Sequence, residues 1–340
     1  MLFPIVSHSF SARILPHEEN AAVLEAHKQI FVVSVDFDGQ RLDLVLSQLT
    51  KKTRSQIKIL IDDGRVWVNT ALAKAGHLVK AGERLEIFPL PPTPSTVAPQ
   101  DIPLEVLFED EHLVAINKPP GMVVHPAPGQ WEGTVVNALL FRWGWQEQTH
   151  PFRPGIVHRL DKDTSGVLLI AKNVQALERL SRAFKERQVH KTYLAVVVGR
   201  LRLTSGTIAL SIGRHPVDRK KMSVRQHGGR EAVSRYQVMA ETKGLSLLCL
   251  SPETGRTHQL RVHMAAIGHP IVGDKTYGRK LDTLSHVPLA QAFARQALHA
   301  EQIEFLHPVS GAPLCIRAPY PQDLLGLLAV FHSGVTSEKG

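Results

Sequence analysis

Apolar residues recur at helical spacing at Leu42, Val45, Leu46 and Leu49, which predicts a first helix. A second helix carries Ile57, Leu60 and Ile61, with Thr53 or Ser55 as its cap and Gly64 as a left-handed stop. Val66-Trp67-Val68-Asn69 and Glu83-Arg84-Leu85-Glu86-Ile87 read as short strands. Further along, Leu104–Phe108 and Leu113–Ile116 read as strands around an acidic turn. The unbroken apolar run Val167-Leu168-Leu169-Ile170-Ala171 predicts a strand buried on both faces, and Tyr193–Val198 another. Between them lies a helix capped by Asn173 that buries Leu177, Leu180 and Phe184. Thr257 is read as the cap of a later helix ending near Gly268, with Leu260, Met264 and Ile267 facing inward. This pattern alone predicts a mixed α/β chain.

Proline divides the chain. Pro89, Pro91, Pro92, Pro94 and Pro99 fix φ and remove donors, so a stiff extended linker is expected. The expected layout is an extension over 1–30, a small unit over 31–90, a linker over 91–100, a larger domain over 101–332 and a tail over 333–340.

Charge narrows the choice of partner. The 340 residues carry a formal net charge of +9, which favours a polyanion, most simply a nucleic acid. Lys51, Lys52, Arg54, Lys58 and Arg65 crowd the two early helices and suit phosphate contact, although a solvated helix face would also look like this. The two cysteines, Cys249 and Cys315, stand in apolar runs and are expected as free buried thiols. The apolar start, Met1 to Ser11, is short and lacks a basic n-region, so neither a signal peptide nor a membrane span is expected, and the expected location is the cytoplasm. Neither a phosphate-cradling G-x-x-x-x-G-K-[ST] loop nor a G-x-G-x-x-G after a strand occurs, so no nucleotide cofactor is indicated. His258 and His263 are five apart, not the four of His-Glu-x-x-His helices, and no metal is expected.

The densest chemistry is His158-Arg159-Leu160-Asp161-Lys162-Asp163-Thr164-Ser165-Gly166, set at the mouth of the apolar run. Asp161 could serve as nucleophile, base or structural ion-pair partner. Asp163, directly before Thr-Ser-Gly, is the more natural turn residue. Arg261, on the helix after Thr254-Gly255-Arg256-Thr257-His258, needs a carboxylate or phosphate if buried, and Asp161 is the candidate. Tyr193 fits a core, and its ring would equally serve as a stacking face for a nucleobase.

Two resemblances organise these residues. Arg41-Leu42-Asp43, Thr53-Arg54-Ser55, Leu60 to Asn69 and Val79-Lys80-Ala81-Gly82-Glu83 resemble the S4 RNA-binding domain, with Thr70 where that family has glycine. Residues 101 to 320 resemble the RluA family of pseudouridine synthases, with the RluD-like subgroup that modifies large-subunit ribosomal RNA nearest. The resemblance rests on His158-Arg159-Leu160-Asp161 with Thr164-Ser165-Gly166, and on Asn117-Lys118-Pro119-Pro120-Gly121 and Val124-His125-Pro126. It also rests on Gly133 to Leu140, Arg214-His215-Pro216, Lys220-Lys221-Met222, Gly273-Asp274 and Arg295 to Ala300.

That resemblance implies an α+β pseudouridine synthase fold with a mixed, largely antiparallel sheet, preceded by a small S4-like α/β domain. It implies isomerisation of uridine in RNA, most simply 23S ribosomal RNA, with no cofactor. In it Asp161 matches the catalytic aspartate, Tyr193 the active-site tyrosine and Arg261 the basic residue paired with the carboxylate. Arg159 matches a residue that fills the gap left by an extruded base. A monomer is expected. The alternatives are a non-catalytic S4-type ribosome-assembly protein and a synthase acting on tRNA.

Overall fold

The computed structural model describes residues 28–332 except 51, 75, 89–96, 128, 145–154, 219–220, 243 and 279–286. Lys51, Lys220, the prolines of 89–94, nearly all of the 1–30 extension and the 333–340 tail therefore lie outside the described residues. The chain divides into two compact units, Met1–Ser95 and Thr96–Gly340.

The first unit places β1 (Gln29–Val32), α1 (Leu42–Thr50), α2 (Arg54–Asp62), β2 (Val66–Val68), β3 (Ala71–Leu72) and β4 (Arg84–Ile87) around a four-stranded sheet ordered β1-β4-β2-β3. The inward stripe of α1, Leu42, Val45 and Leu46, meets Ile57 and Leu60 of α2 and Val66 and Leu85 of the sheet. Thr53, not Ser55, caps α2: its side chain accepts from Gln56 N while the Gln56 side chain accepts from Thr53 N. The left-handed residue of the β2–β3 turn is Asn69, at φ +54°, so Thr70 is not asked for a glycine conformation.

The second unit is built on a nine-stranded sheet. Its elements run β5 (Glu105–Glu109), β6 (Leu113–Lys118), α3 (Val135–Trp143), β7 (Ser165–Ala171), α4 (Val174–Lys185), β8 (His190–Val198) and β9 (Ser205–Ala209). They continue with β10 (Ile212–Arg214), β11 (Met222–Val224), β12 (Val233–Thr242), β13 (Leu245–Pro252), α5 (Gln259–Ala266), α6 (Pro288–Gln291), β14 (Leu298–Leu306), β15 (Pro313–Arg317) and α7 (Gln322–His332). The sheet order is β5-β6-β7-β14-β8-β13-β12-β9, with β15 also paired to β14. Every pairing is antiparallel except β7 with β14.

β7 explains its own composition. Val167, Leu169 and Ala171 pack under Ala176 and Leu180 of α4, while Leu168 and Ile170 pack on the other face against Val114, Ile116 and Leu139. Both faces are covered, so the strand is apolar throughout. Asn173 caps α4 by accepting from Ala176 N. Of the residues assigned inward on α4, Leu180 is buried whereas Leu177 and Phe184 are half-buried.

Two expectations need correction. Thr257 does not cap α5: the cap position is His258, in left-handed backbone at φ +55° and with no side-chain cap bond. The carboxamide of Gln259 takes the nearby donors instead, accepting from Arg256 N and Thr254 Oγ1. Cys315 is exposed and Cys249 half-buried, because β15 has one face to solvent.

Candidate active site

The 158–166 loop leads into β7 and is anchored at nearly every residue. His158 Nε2 accepts from Leu169 N at 2.9 Å, and its ring stacks on Phe184 with centroids 4.9 Å apart. Burial, and to a lesser extent Lys191, hold the His158 pKa down at about 3, which suits an imidazole used as an acceptor. Leu160 is buried, and Thr164 N donates to Asp161 O. Arg295 donates to Asp163 O at 3.0 Å while gripping Asp323 at 2.6 and 3.0 Å. Gln296 donates to Thr164 Oγ1, and Ser165 Oγ meets His299 Nδ1 at 2.9 Å. Lys118, wholly buried at the end of β6, donates to Pro119 O, Met122 O and Lys162 O at 2.7, 3.0 and 3.0 Å.

This scaffold aims Asp161 into a cavity of about 550 Å³ that Tyr193, His258 and Arg261 also line. Asp161 Oδ2 accepts from Arg261 at 2.9 Å, and its side chain is 18% exposed. Arg261 is itself buried and grips Asp274 in a fork, Nε to Oδ2 at 2.7 Å and the second nitrogen to Oδ1 at 2.9 Å. Burial alone would lower the Arg261 pKa, but Asp274 and then Asp161 raise it above the ordinary arginine value. Asp274 is completed by Thr276 N and Tyr277 N, both donating to Oδ1. Burial works to raise its pKa, yet Arg261 and these amides hold it below the usual carboxylate value. Arg261 thus reaches the loop as a fixed cation and cannot be neutralised.

Tyr193 enters from β8, the neighbour of β14. Burial, then the charge of Asp161, push its phenol pKa up, so it stays protonated and can donate. Arg159 is exposed on the rim, where Lys185, Arg187, Lys191, Arg230 and Arg256 join it; the described carboxylates lining the cavity are Asp161 and Glu253, and Glu231 pairs with Arg187 at 3.3 Å. The structure therefore brings Asp161, Tyr193, Arg261 and Arg159 to one cavity. The small unit is different. Arg54 is committed to Asp43 at 2.8 Å, Lys58 to Asp62 at 2.9 Å and Arg65 to Asp63 at 2.6 Å, while Lys52 is exposed. Among the described residues no cluster of His, Cys, Asp and Glu is arranged to hold a metal.

Sequence reasoning missed Asp274, Tyr277, Lys118 and Arg295 as parts of this site. Asp274, Lys118 and Arg295 lay within motifs that carried the resemblance, a signal without a role; Tyr277 had none. His258 was noticed only as a poor metal ligand.

A family model described as RNA pseudouridylate synthase matches residues 112–266, and an S4 domain model matches residues 40–85. A ribosomal large subunit pseudouridine synthase D from Xylella fastidiosa is 46% identical over 300 residues, covering 86% of this chain and 89% of the relative. This chain belongs to the RNA pseudouridine synthase family. A protein of the same description from Escherichia coli O157:H7 is 41% identical, covering 88% of the synthase and 93% of the relative. Two solved structures are similar to it. Human RNA pseudouridylate synthase domain containing 1 has TM-score 0.51 and 29% identity, over 70% of this synthase and 89% of that chain. Human RNA pseudouridylate synthase domain containing 4 has TM-score 0.54 and 27% identity, over 67% and 93%. The synthase is an RNA isomerase of α+β fold with an N-terminal S4 domain. None of its described helices is long and apolar enough to cross a membrane.

Proposed function

We propose that the synthase isomerises uridines of large-subunit ribosomal RNA in the cytoplasm, as a monomer, with Asp161 as its reactive carboxylate. The observation that carries the assignment is an ionisable carboxylate whose one oxygen is bound by a buried guanidinium while the other faces a cavity shared with a protonated tyrosine. The relatives named above as large-subunit synthases support the choice of RNA.

The reaction breaks the C–N bond between uracil and ribose and re-forms the link at C5, with no net redox change. A stacked uridine cannot present that bond, so it must leave the stack at a cost of a few kcal/mol. Arg159 on the rim is suited to fill the gap, by stacking and phosphate contact. Inside, Asp161 engages the target nucleotide, Arg261 holds it in place, and Tyr193 stacks on the base with its phenol placed to assist proton transfer at C5, which gives up its proton once the new C–C bond has formed while N1 gains one. In this reading residues 31–90 form the S4-like domain, 91–100 its linker and 101–332 the catalytic domain. Lys51 and Lys52 would add phosphate contacts, with Arg54, Lys58 and Arg65 joining only by exchanging their carboxylates for phosphates.

The test is pseudouridine mapping of RNA from a strain lacking the gene, re-supplied with wild-type or Asp161→Asn protein. Wild type restores sites in the large-subunit RNA, and Asp161→Asn restores none while binding the same RNA with affinity within about threefold. Restoration only in tRNA would overturn the substrate assignment. Activity in Asp161→Asn would overturn the role of the carboxylate. Activity should persist in EDTA, since the chemistry here needs only protein groups.

A further inference from the structure

His258 carries three features that packing does not explain. It sits at the N-cap of α5 in left-handed backbone, φ +55°, without a side-chain bond to the helix it precedes. Histidine visits that region more readily than most residues, but a cost of order 1 kcal/mol remains. The conformation turns the imidazole off the helix axis and into the cavity.

There it joins a directed chain. Met222 N donates to the Tyr277 phenol oxygen at 2.9 Å, and that oxygen lies 2.8 Å from His258 Nδ1. A phenol has one proton. With its oxygen already accepting from Met222, the arrangement that strands no proton has the hydroxyl donating to Nδ1. The neutral ring then carries its proton on Nε2. Nε2 faces Asp161 Oδ1 across 3.9 Å, whereas Oδ2 is taken by Arg261. Among the described residues, no hydrogen-bond donor reaches Oδ1.

We propose that His258 is a positioning residue for Asp161: its Nε2–H, aligned by Tyr277, closes on Oδ1 when a nucleotide fills the cavity and fixes the orientation of the carboxylate. This rests on Asp161 being the reactive carboxylate. A shift of about 1 Å converts the gap into a charge-assisted hydrogen bond, the kind of contact that is long in an empty site and tightens in the complex. Asp161 is faced by Arg261 and His258 from the α5 region, Tyr193 from β8, Lys118 from β6 and Arg159 from its own loop. His258 is faced by Asp161, Arg261, Asp274 and Arg159, with Tyr277 behind it. Burial lowers its pKa, Asp161 opposing, so the neutral ring with Nε2–H is the form present at neutral pH.

The experiment is single-turnover kinetics against pH, with saturating enzyme and an RNA carrying one target uridine. The proteins are wild type, His258→Leu, His258→Gln and Tyr277→Phe. In His258→Leu the rate falls about tenfold or more and its acid limb moves up by about one pH unit, because Asp161 has lost a donor to its charged form. His258→Gln, whose amide N–H reaches the same region, recovers most of the rate and returns the limb towards wild type. Tyr277→Phe frees the ring to place its proton on Nδ1 and gives an intermediate loss. RNA affinity is unchanged in all three. Equal losses in Leu and Gln with an unmoved limb would mean that the imidazole only packs, and would overturn the proposal; so would a wild-type rate in His258→Leu. If the Leu variant does not fold, an unmoved limb in Tyr277→Phe together with no rate loss overturns it equally. Asp161→Asn, run alongside, separates the two readings: activity there removes the parent assignment, whereas inactivity there with an unmoved limb in the His258 variants removes this inference alone.

Discussion

Arg261 serves two carboxylates unequally. Asp274 receives a buried fork and two backbone amides, while Asp161 receives one contact and keeps an oxygen free. Asp274→Ala is therefore expected to cost about 3–5 kcal/mol in urea unfolding, as breaking a buried ion pair does, and Asp161→Asn far less. Gly166 is constrained in another way. At φ +114° it lies so close to β14 that a β-carbon would come within 2.1 Å of Ala300 O. Gly166→Ala should destabilise by at least about 2 kcal/mol, read as a lower urea midpoint at unchanged slope. At this scale the sequence was informative where charge and apolarity abut. Asp161 stood out because four charged side chains precede a strand with none. Asp274 did not, because its role depends on a turn that brings it back onto a helix residue 13 positions earlier.

Elements were legible where a local cause decides them. Thr53 and Asn173 cap their helices because their side-chain oxygens are left to the helix amides: the tertiary contact of Asn173, with His112 Nδ1 at 3.1 Å, uses its Nδ2 and leaves Oδ1 for Ala176 N. The start of α5 departs from the expected Thr257 cap because His258 takes the cap position in left-handed backbone, which local pattern does not signal. β6 hides a further case: its last residue, Lys118, is a cation within a strand buried on both faces. Burial pushes its pKa down to about 7, against the pull of Asp163, while three carbonyls accept from the ammonium. The folded pKa lies below the ordinary 10.5, so the unfolded chain binds the extra proton between these values. Stability then rises with pH across that window, by up to ~1.4 kcal/mol per unit, and the contribution flattens below about 7. Lys118→Met should lack that slope from pH 7 to 9 in paired denaturation curves, while leaving three carbonyls unsatisfied. A slope identical to wild type would mean that the lysine is charged throughout.

At the scale of the molecule, the net charge of +9 becomes a cationic wall around one cavity. Lys191 illustrates it: burial lowers its pKa, its nitrogen rests 5.9 Å above the Phe184 ring, and no described carboxylate pairs with it. If it meets a phosphate, Lys191→Met should reduce the slope of log affinity against log salt by about 0.7–0.9, and a neutral salt response would refute that contact. The largely antiparallel character was readable only through resemblance, because strand runs are local and do not say how strands pair. Sheet order was not, since β14 comes late in the chain yet lies between β7 and β8. Those two strands carry the aspartate loop and the tyrosine. Until about residue 306 has emerged from a translating ribosome, the strand that joins the aspartate loop's strand to the tyrosine's is missing from the sheet. A partly made chain is therefore expected to leave unmodified the very RNA that surrounds it during its own synthesis, even where its first unit already binds.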